Sequence, residues 1–485
     1  MRTSLRFHIL GLISAATIAS TTGCNLLLGV EDLTQSDPDA AVDIDAPPGT
    51  VTIRFVNVVR DFPGSGTIDV YIGDEPTARV TALRQVSSYV VVDPSVTRIS
   101  LRQQGQSGGA PLHEFTGLTL AGDTKVTAVI AGVNASQSAD DRVRLLPFVE
   151  EFAQAGTGQA QVRFVHAITD VTDVAIDVGL NNAAAPEVVG LPRFGASAAA
   201  GMQAEAGRTL RLGLVEGGTT FTAFAANGLE LGKGCFVIFS GQRSAAFNSL
   251  GVMTSTTVCT SQTPVIGSMG ARVAVGHVIS DATACDLRTI DGNPLIESLE
   301  ARELGTLWLL AEDENFVGVT LICAMQSVSV DLNSDFALES PRHMILAGGS
   351  LSPDFTNQAR LMDVSIPSTG LRHAYFVNLS AGVGDGILRI DGSDVVGNQV
   401  FGASIIGPAF GHAASVLSSG GHTLSYEDVG QSVTMSFTVT GGTGGATLFV
   451  LEGARVPQGA QRPLRLTPFD LGAFPPAVGT PIAPN

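Results

Sequence analysis

The 485-residue sequence has few basic and few bulky aromatic residues. It contains 27 Lys and Arg against 45 Asp and Glu, a formal net charge of −18, and only one Trp and four Tyr. A surface this acidic repels nucleic acid and anionic lipid headgroups, so we expect neither as a partner. Carbohydrate sites usually present aromatic platforms. The shortage of Trp and Tyr therefore argues against action on polysaccharide.

Local catalytic and metal-binding motifs are also scarce. The sequence has no H-E-x-x-H helix motif, no C-x-x-C metal spacing and no G-x-x-x-x-G-K-[ST] phosphate loop. Adjacent carboxylates such as Asp140 and Asp141 point apart in an extended chain, which does not suit a glycosidase pair. We therefore predict that the protein is not an enzyme and has no cofactor or metal. Sites built from distant loops leave no local motif, so two alternatives stay open. These are an extracellular polysaccharide-acting enzyme or accessory, and a Ca²⁺-dependent binding module.

Residues 1–23 are typical of a bacterial export signal. Arg2 and Arg6 precede an apolar core from Phe7 to Ala19, which is too short to span a membrane as a helix. The following Thr-Thr-Gly-Cys resembles a lipobox, which implies acylation of Cys24 as the mature N-terminus. Ordinary signal cleavage beside an incidental cysteine is the alternative. Asn25 is not the Asp that this resemblance associates with inner-membrane retention, so we predict a lipid anchor in the outer membrane or at the cell surface.

Residues 24–50 are predicted to be an acidic tether. From Glu31 to Thr50 there are six acidic residues, three prolines and no basic residue. Like charges and proline keep such a segment extended. Its aspartates lack the Gly turn and distal Glu of an EF-hand loop. A solvated spacer between the membrane and the folded part is the better interpretation.

The rest of the chain contains four copies of one module. Similar openings stand at Arg54-Phe55-Val56-Asn57, Arg163-Phe164-Val165-His166, Ala274-Val275-Gly276-His277 and Tyr375-Phe376-Val377-Asn378. An apolar run ends 78, 78, 74 and 78 residues after each opening, at Gly132, Gly241, Gly348 and Gly453. Such constant offsets indicate an internal repeat. We place the modules at 51–156, 160–262, 271–368 and 371–470, followed by a Pro-rich tail at 471–485 that we expect to be unstructured.

Each module is predicted to be an antiparallel β-sandwich of immunoglobulin-like type, which makes the chain all-β. In module one Val51, Ile53 and Phe55 alternate with Thr52 and Arg54, as in a half-buried strand. Short apolar runs separated by Gly, Asp and Pro continue through about 100 residues, which is typical of a sandwich. The one stretch with a hint of helical periodicity is 297–310.

One polar position recurs at the end of each opening. It is occupied by Asn57, His166, His277 and Asn378. Each continues an inward-facing apolar row, so its side chain must find hydrogen-bond partners inside the protein. Asn and neutral imidazole can both donate and accept, whereas a metal ligand would not alternate with Asn. We predict a structural role at all four positions.

The opening of module two resembles an uncharacterised bacterial surface domain family, of the type called domain of unknown function 4397. That family begins close to R-F-V-H-A-S-P-D-A-P and continues V-D-V-Y-V-D-G. Arg163-Phe164-Val165-His166-Ala167 matches its start, and Ile68-Asp69-Val70-Tyr71-Ile72-Gly73-Asp74 matches its second half. The resemblance implies a tandem-repeat secreted or surface protein, in the style of a myxobacterial lipoprotein. The family has no established chemistry to carry over.

Four cysteines remain once Cys24 is set aside. In an exported chain an even number suggests disulfides, and four cysteines allow three connectivities. The pairs Cys235–Cys259 and Cys285–Cys323 keep each bond inside one module, and we predict these two.

The leading functional hypothesis is a non-enzymatic, lipid-anchored surface protein. Its repeated modules would serve as a spacer or as an adhesive binding array. The expected partners are the membrane, through the N-terminal lipid, and an envelope protein or glycan. We expect the protein to be a monomer.

Overall fold

A computed structural model describes most of the chain beyond the predicted tether. The described residues are 49–485 except 64–65, 97, 107–108, 137, 246–251, 261–262, 268, 290–291, 293, 311–318, 324–325, 331–341, 353–359, 366–373, 400–419, 442–445 and 473. The predicted export signal, Cys24 and nearly all of the predicted tether lie outside these residues.

The regular secondary structure described in modules one and two consists of strands. Module one contains β1 (Val51–Asn57), β2 (Ile68–Ile72), β3 (Glu75–Thr81), β4 (Gln85–Val86), β5 (Val90–Val92), β6 (Arg98–Gln103), β7 (His113–Thr116), β8 (Thr124–Ala131) and β9 (Arg144–Val149). The next strands are β10 (Gln159–Ile168), β11 (Asp173–Val178), β12 (Val188–Pro192), β13 (Met202–Glu205), β14 (Leu210–Glu216), β15 (Thr219–Ala226), β16 (Gly234–Gly241), β17 (Thr254–Cys259) and β18 (Val265–Gly267). β18 lies in the connection between the predicted modules two and three.

Modules three and four continue the same pattern. Module three contains β19 (Ala271–His277), β20 (Ala284–Thr289), β21 (Pro294–Glu300), β22 (Leu304–Leu309), β23 (Val319–Cys323), β24 (Gln326–Val330), β25 (Arg342–Gly348) and β26 (Arg360–Ser365). Module four contains β27 (Ala374–Asn378), β28 (Gly386–Ile390), β29 (Ser393–Gln399), β30 (Gly420–Asp428), β31 (Val433–Gly441), β32 (Thr447–Glu452) and β33 (Arg465–Asp470), and the tail adds β34 (Ala477–Val478). The described residues form no α-helix, so the all-β prediction is confirmed.

Each of the four stretches forms two sheets that pack face to face. In module two one sheet has the order β13-β10-β16-β17-β18 and the other β12-β11-β14-β15. Their inward side chains share one apolar core, in which Phe164 and Phe239 stack with ring centroids 6.1 Å apart. Modules one, three and four have equivalent cores between their two sheets. This is the predicted sandwich layering.

The sheets differ from the prediction in one respect, because each module contains a parallel strand pair. β1 runs parallel to β8, β10 to β16, β19 to β25 and β27 to β32, while the other ladders are antiparallel. Parallel neighbours need a long crossover between them. Here that crossover contains the whole second sheet, which explains the constant offsets in the sequence.

The opening strands are also buried more completely than alternation predicts. Every residue of β1 is buried, including Thr52 and Arg54, which we expected on an exposed face. The reason is that this face packs against the neighbouring module. A single-module pattern of alternation contains no information about that contact.

Two segments contradict the sequence predictions. The stretch 297–310 is not helical: it forms the end of β21 and all of β22, separated by a turn in which Arg302 has a φ of 71°. The Pro-rich tail is structured along part of its length. β34 pairs with β33, Ile482 exchanges backbone hydrogen bonds with Leu466, and Gly479 donates to Pro468 O at 2.8 Å. Non-proline residues supply these N–H groups, so the prolines of the tail remove no hydrogen bond from this edge of the sheet.

Within the part of the chain that the structure describes, no helix is long and apolar enough to cross a membrane.

Candidate functional site

The recurring polar position is a hydrogen-bonded element of each core. Its four occupants are all completely buried: Asn57, His166, His277 and Asn378. His166 Nδ1 accepts from the N–H of Ile168 at 3.4 Å, and its Nε2 lies 3.0 Å from Val171 O. Asn57 Oδ1 accepts from the N–H of Val59 at 3.0 Å, and its Nδ2 donates to Gly66 O at 3.3 Å. Asn57 and His166 thus make the same two kinds of contact, with the residue two positions on and with a loop carbonyl. His277 makes only one among the described residues, from Nε2 to Leu299 O in β21 at 3.1 Å.

Burial keeps His166 and His277 neutral. Loss of solvent lowers the pKa of His166 to about 4, and burial together with the Arg462 charge lowers the pKa of His277 to about 4. The four positions lie in four separate cores, so the fold does not bring them together into one site.

A second repeated contact, which the sequence analysis missed, involves an aspartate four residues further on. Asp61 accepts from the backbone N–H groups of Asn134 and Ala135 at 2.8 Å each. Asp170 does the same for Arg243 and Ser244 at 2.7 and 2.8 Å, and accepts from the Ser244 hydroxyl at 2.7 Å. Asp170 stands where the resembling family has the Asp of its S-P-D segment. The sequence therefore contained a signal for this aspartate. The aspartate side chain accepts hydrogen bonds from the loop that follows the parallel strand.

That same loop begins with a glycine in the left-handed region. The φ angles are 117° at Gly132, 105° at Gly241, 103° at Gly349 and 83° at Gly453. A Cβ on Gly132 would stand 2.5 Å from Arg142 O, so no other residue fits there. The equivalent residue in module three is therefore Gly349, and the sequence alignment on Gly348 was wrong by one position.

Modules one and two share an apolar interface. It is formed by the outward faces of their parallel strands and contains Val56, Val58, Val129, Ala131, Val165, Ala167, Phe236, Ile238 and Val258. The opening arginines cross it reciprocally: Arg54 Nη1 donates to Cys259 O at 2.6 Å, and Arg163 Nη1 donates to Val149 O at 2.9 Å. Cys259 ends β17 and Val149 ends β9. The two modules therefore meet through the same patch, as in an approximately two-fold dimer.

A buried ionic network completes this interface. Arg54 is 0% exposed, and its Nη2 lies 3.3 Å from Glu150 Oε1. Tyr89 donates its hydroxyl to the same carboxylate at 2.8 Å, and the Arg54 guanidinium lies 4.8 Å from the centre of the Tyr89 ring. Burial is the main reason why the pKa of Tyr89 is raised. The network satisfies charges that would otherwise be buried without partners.

Modules three and four meet through the equivalent surfaces. Their shared apolar cluster contains Ala274, Val278, Met344, Leu346, Tyr375, Val377, Leu379, Leu448 and Val450. Ala274 and Tyr375 stand where the first pair has arginines. The charge contact here comes from another position, because Arg302 Nε donates to Glu452 Oε1 at 2.6 Å, and the Glu452 side chain is 0% exposed. Arg462 adds a hydrogen bond from Nη1 to Ala282 O at 2.9 Å.

A narrow cleft opens at the edge of the interface between modules one and two. Its lining includes Arg60 and Arg84 from module one and Thr169, Ser240 and Gln242 from module two. Arg60 Nη2 donates to Gln242 Oε1 across the cleft.

The structure joins the predicted cysteine pairs. Cys235 and Cys259 are bonded across neighbouring strands β16 and β17, and Cys285 and Cys323 across β20 and β23. Each pair lies in the apolar core of its own module. No group of three or more His, Cys, Asp or Glu in the described part of the chain is arranged to hold a metal ion.

One catalytic-type motif escaped the sequence analysis. Residues 105–109 read G-Q-S-G-G, which fits the nucleophile pattern G-x-S-x-G. That pattern carries chemistry when it joins a strand to a helix. Here it stands between two paired strands, β6 and β7. Ser107 itself lies outside the described residues.

The first part of the chain matches a known family. Residues 51–177 match the model of a family described as a domain of unknown function, DUF4397. They carry a DUF4397-type domain. None of the curated proteins matches the chain.

The DUF4397 match covers more than one sandwich. It begins at the first residue of β1 and ends inside β11, the second strand of module two. It therefore includes both opening arginines, Arg54 and Arg163, and the network around Glu150. The matched sequence thus contains the module-one side of the interface and the β10 part of the module-two side, while Phe236, Ile238, Val258 and Cys259 lie beyond it.

Proposed function

We propose that the protein is a non-enzymatic lipoprotein of the cell surface or outer membrane, whose repeated modules act as a spacer and adhesive binding array. In this proposal Cys24 carries the lipid, the acidic segment lifts the modules off the membrane, and the modules present their surfaces to an envelope protein or glycan. We also propose that the modules are immunoglobulin-like and that the chain is of the myxobacterial lipoprotein type.

The observation that best supports this function is the coupling of consecutive modules. The described residues from 49 onwards belong to one compact unit, with apolar clusters between modules one and two and between modules three and four. Modules two and three are in contact as well, where Leu310 packs against Ala223 and Ala225. Interfaces this apolar hold modules in fixed orientations. A spacer needs that property, because a freely jointed chain loses reach to entropy.

Repetition supports the adhesive half of the proposal. Modules held in fixed orientations present similar surfaces at fixed separations, so a second contact forms at a high effective concentration once the first is made. A weak interaction per module then suffices for firm attachment. The net charge of −18 favours a neutral or basic partner surface over an acidic one.

The proposal is tested by removing modules in pairs. Deleting one module alone would expose an apolar interface, so the variants lack either residues 51–262 or residues 271–470. Both should reach the cell surface, and each should lose part of the attachment of cells to isolated envelopes. The matched control is the same pair of deletions in a Cys24→Ser background, which measures expression without anchoring. Loss of all attachment with one deletion and none with the other would contradict an array.

A further inference from the structure

The tail of the chain covers the outer edge of β33 in module four. Leu466 N–H donates to Ile482 O at 2.9 Å, and Ile482 N–H donates back to Leu466 O at 2.9 Å. Gly479 N–H donates to Pro468 O at 2.8 Å. Beside this added strand Leu466 and Phe469 are fully buried. The tail therefore satisfies three outward-facing backbone groups and shields the side chains next to them.

Module two covers the equivalent edge with the segment that follows it. There β18 pairs with the outer strand β17 along Ser255, Thr256 and Thr257. Every residue of β17 is buried. Two modules thus protect this edge with a strand of their own chain, since an unpaired edge is a template for the addition of another strand.

Module one contains the same edge on β9. The strands Arg144-Leu145-Leu146-Pro147-Phe148 and Arg465-Leu466-Thr467-Pro468-Phe469 differ at one of these five positions. Their registers also agree, because Leu145 lies opposite Ile130 and Leu466 lies opposite Leu451, each two residues before the left-handed glycine of its module. Pro147 has no N–H and therefore stands where the backbone points away from β8. Leu145, two residues earlier, points the same way.

The edge of β9 is open where that of β33 is closed. Pro147 is exposed and Leu145 is half-buried, whereas Leu466 is fully buried. Among the described residues, no hydrogen bond involves Leu145 N–H, Leu145 O or Pro147 O. Further along the strand, Val149 O accepts from Arg163 of module two. The open part of the edge thus presents the same three backbone groups that the tail binds in module four.

We propose that the outer edge of β9 binds an extended segment of a partner protein by β-strand addition. The segment runs antiparallel to β9, as the tail runs to β33. It exchanges two backbone hydrogen bonds with Leu145 and donates a third to Pro147 O. The partner of the binding array is thereby a protein rather than a glycan, which rests on the display function proposed above.

The tail shows which side chains such a segment needs. A Cβ on Gly479 would stand 2.7 Å from Pro468 Cγ, so a glycine is required beside the edge proline. Ile482, three residues later, packs against the module-four core. Module one offers equivalent apolar contacts at Val143 and Leu145. Residues 474–485 contain no charged side chain. The ligand is therefore an uncharged segment of the pattern Gly-x-x-aliphatic, which an acidic surface does not repel.

A separate protein suits this edge better than a second copy of the chain. The tail is already bound to β33, and Phe474 packs in the interface between modules three and four. Contacts within one chain form at a high effective concentration and so outcompete the same contacts between chains. The open edge of β9 is therefore available to a segment that its own protein leaves free.

The test titrates the full chain with a synthetic peptide of residues 475–485, blocked at both ends, by isothermal titration calorimetry. One peptide should bind per chain, with a dissociation constant on the order of tens of micromolar. Gly479→Val in the peptide, or an N-methyl group on the nitrogen of its Ile482, should weaken binding by about tenfold or more. In the protein, Leu145→Pro removes the outward N–H and should cause a similar loss. Leu145→Ala shortens the same side chain but keeps that N–H, so it should retain most of the binding.

Two shortened chains identify the occupant. A chain that ends at Leu471 leaves β33 uncovered and should bind two peptides, and a chain without residues 25–48 should bind as the full chain does. Binding that appears only without residues 25–48 would make the acidic segment the occupant and overturn the partner proposal. Self-association of the full chain in sedimentation, dissolved by the peptide, would also overturn it, because the occupant would then be a second copy.

Three results of the titration would overturn the site itself. They are no binding by the full chain up to about 1 mM, equal binding of the N-methylated peptide, and equal losses in Leu145→Pro and Leu145→Ala. Purified chain and peptide need no lipid on Cys24. A failure of this site would therefore leave surface display intact, and a failure of surface display would leave peptide binding intact.

Discussion

The buried histidines make the stability of modules two and three depend on pH. His166 and His277 are completely buried, and the pKa of each is lowered to about 4 in the folded protein. In the unfolded chain a histidine has a pKa of about 6.5. The unfolded state therefore binds more protons than the folded state between about pH 4 and 6.5. Stability from these residues is present above about pH 6.5 and is lost as the pH falls towards 4.

The size of this effect follows from the two pKa values. A difference of about 2.5 between the folded and unfolded pKa values corresponds to about 3 kcal/mol in the free energy of unfolding, between pH values well above and well below both pKa values. Between pH 7 and pH 4.5 each histidine should cost about 2 kcal/mol of the free energy of unfolding. The repeat itself supplies the variant that removes this dependence, because Asn57 and Asn378 occupy the same position in modules one and four. His166→Asn should keep both hydrogen bonds and carry no titrating group.

The assay is urea denaturation of the full chain at pH 7 and pH 4.5. His166→Asn should reduce the loss of stability between the two pH values by about 2 kcal/mol, and the double variant with His277→Asn by about twice that. Val162→Ala is the matched control. It truncates a side chain in the same core as His166 without changing a proton site, so it should lower stability equally at both pH values. If His166→Asn left the pH dependence unchanged, the assignment of neutral buried imidazole would be refuted.

Two further predictions concern the module interfaces. Arg54→Met should lower the free energy of unfolding by about 3–5 kcal/mol, because it leaves the Glu150 carboxylate buried without its cation; adding Glu150→Leu should restore most of the loss. Additive losses in the double variant, measured by chemical denaturation, would contradict the pairing. Gly348→Ala should lower the unfolding midpoint, because the added Cβ would stand 2.4 Å from the Cβ of Leu379 in the next module. Gly421→Ala is the control and should be neutral, because a Cβ at that position would have no atom within 4 Å. Equal effects of the two substitutions would argue against a tight contact at that point.

The sequence predicted the features that depend on local pattern. The repeat, the strands and the sandwich layering follow from apolar alternation and fixed offsets, which each module shows on its own. Cysteine pairing within modules followed from keeping bonds inside one repeat. The hydrogen-bond requirement of the position that His166 occupies also follows locally, because any polar group on an inward face needs partners.

Contacts between modules could not be predicted in the same way. Arg54 looks like the exposed side of a strand in its own segment, and its burial depends on a surface 205 residues away in the chain, at Cys259. The helical hint at 297–310 failed for a related reason, since the partners of β22 are set by pairing with β19. The prediction of an unstructured tail was wrong because it considered only how many prolines the tail contains. The prolines do not occupy the positions whose N–H groups pair, so Gly479 and Ile482 can donate to the neighbouring strand.

We propose that a lipid on Cys24 displays the coupled modules from a membrane. Metabolic labelling of growing cells with a radiolabelled fatty acid tests it most directly, with the Cys24→Ser variant as the comparison. We expect label on the unmodified protein in the membrane fraction, and an unlabelled variant that is released from the membrane. Equal labelling of both forms, or no label on either, would contradict it.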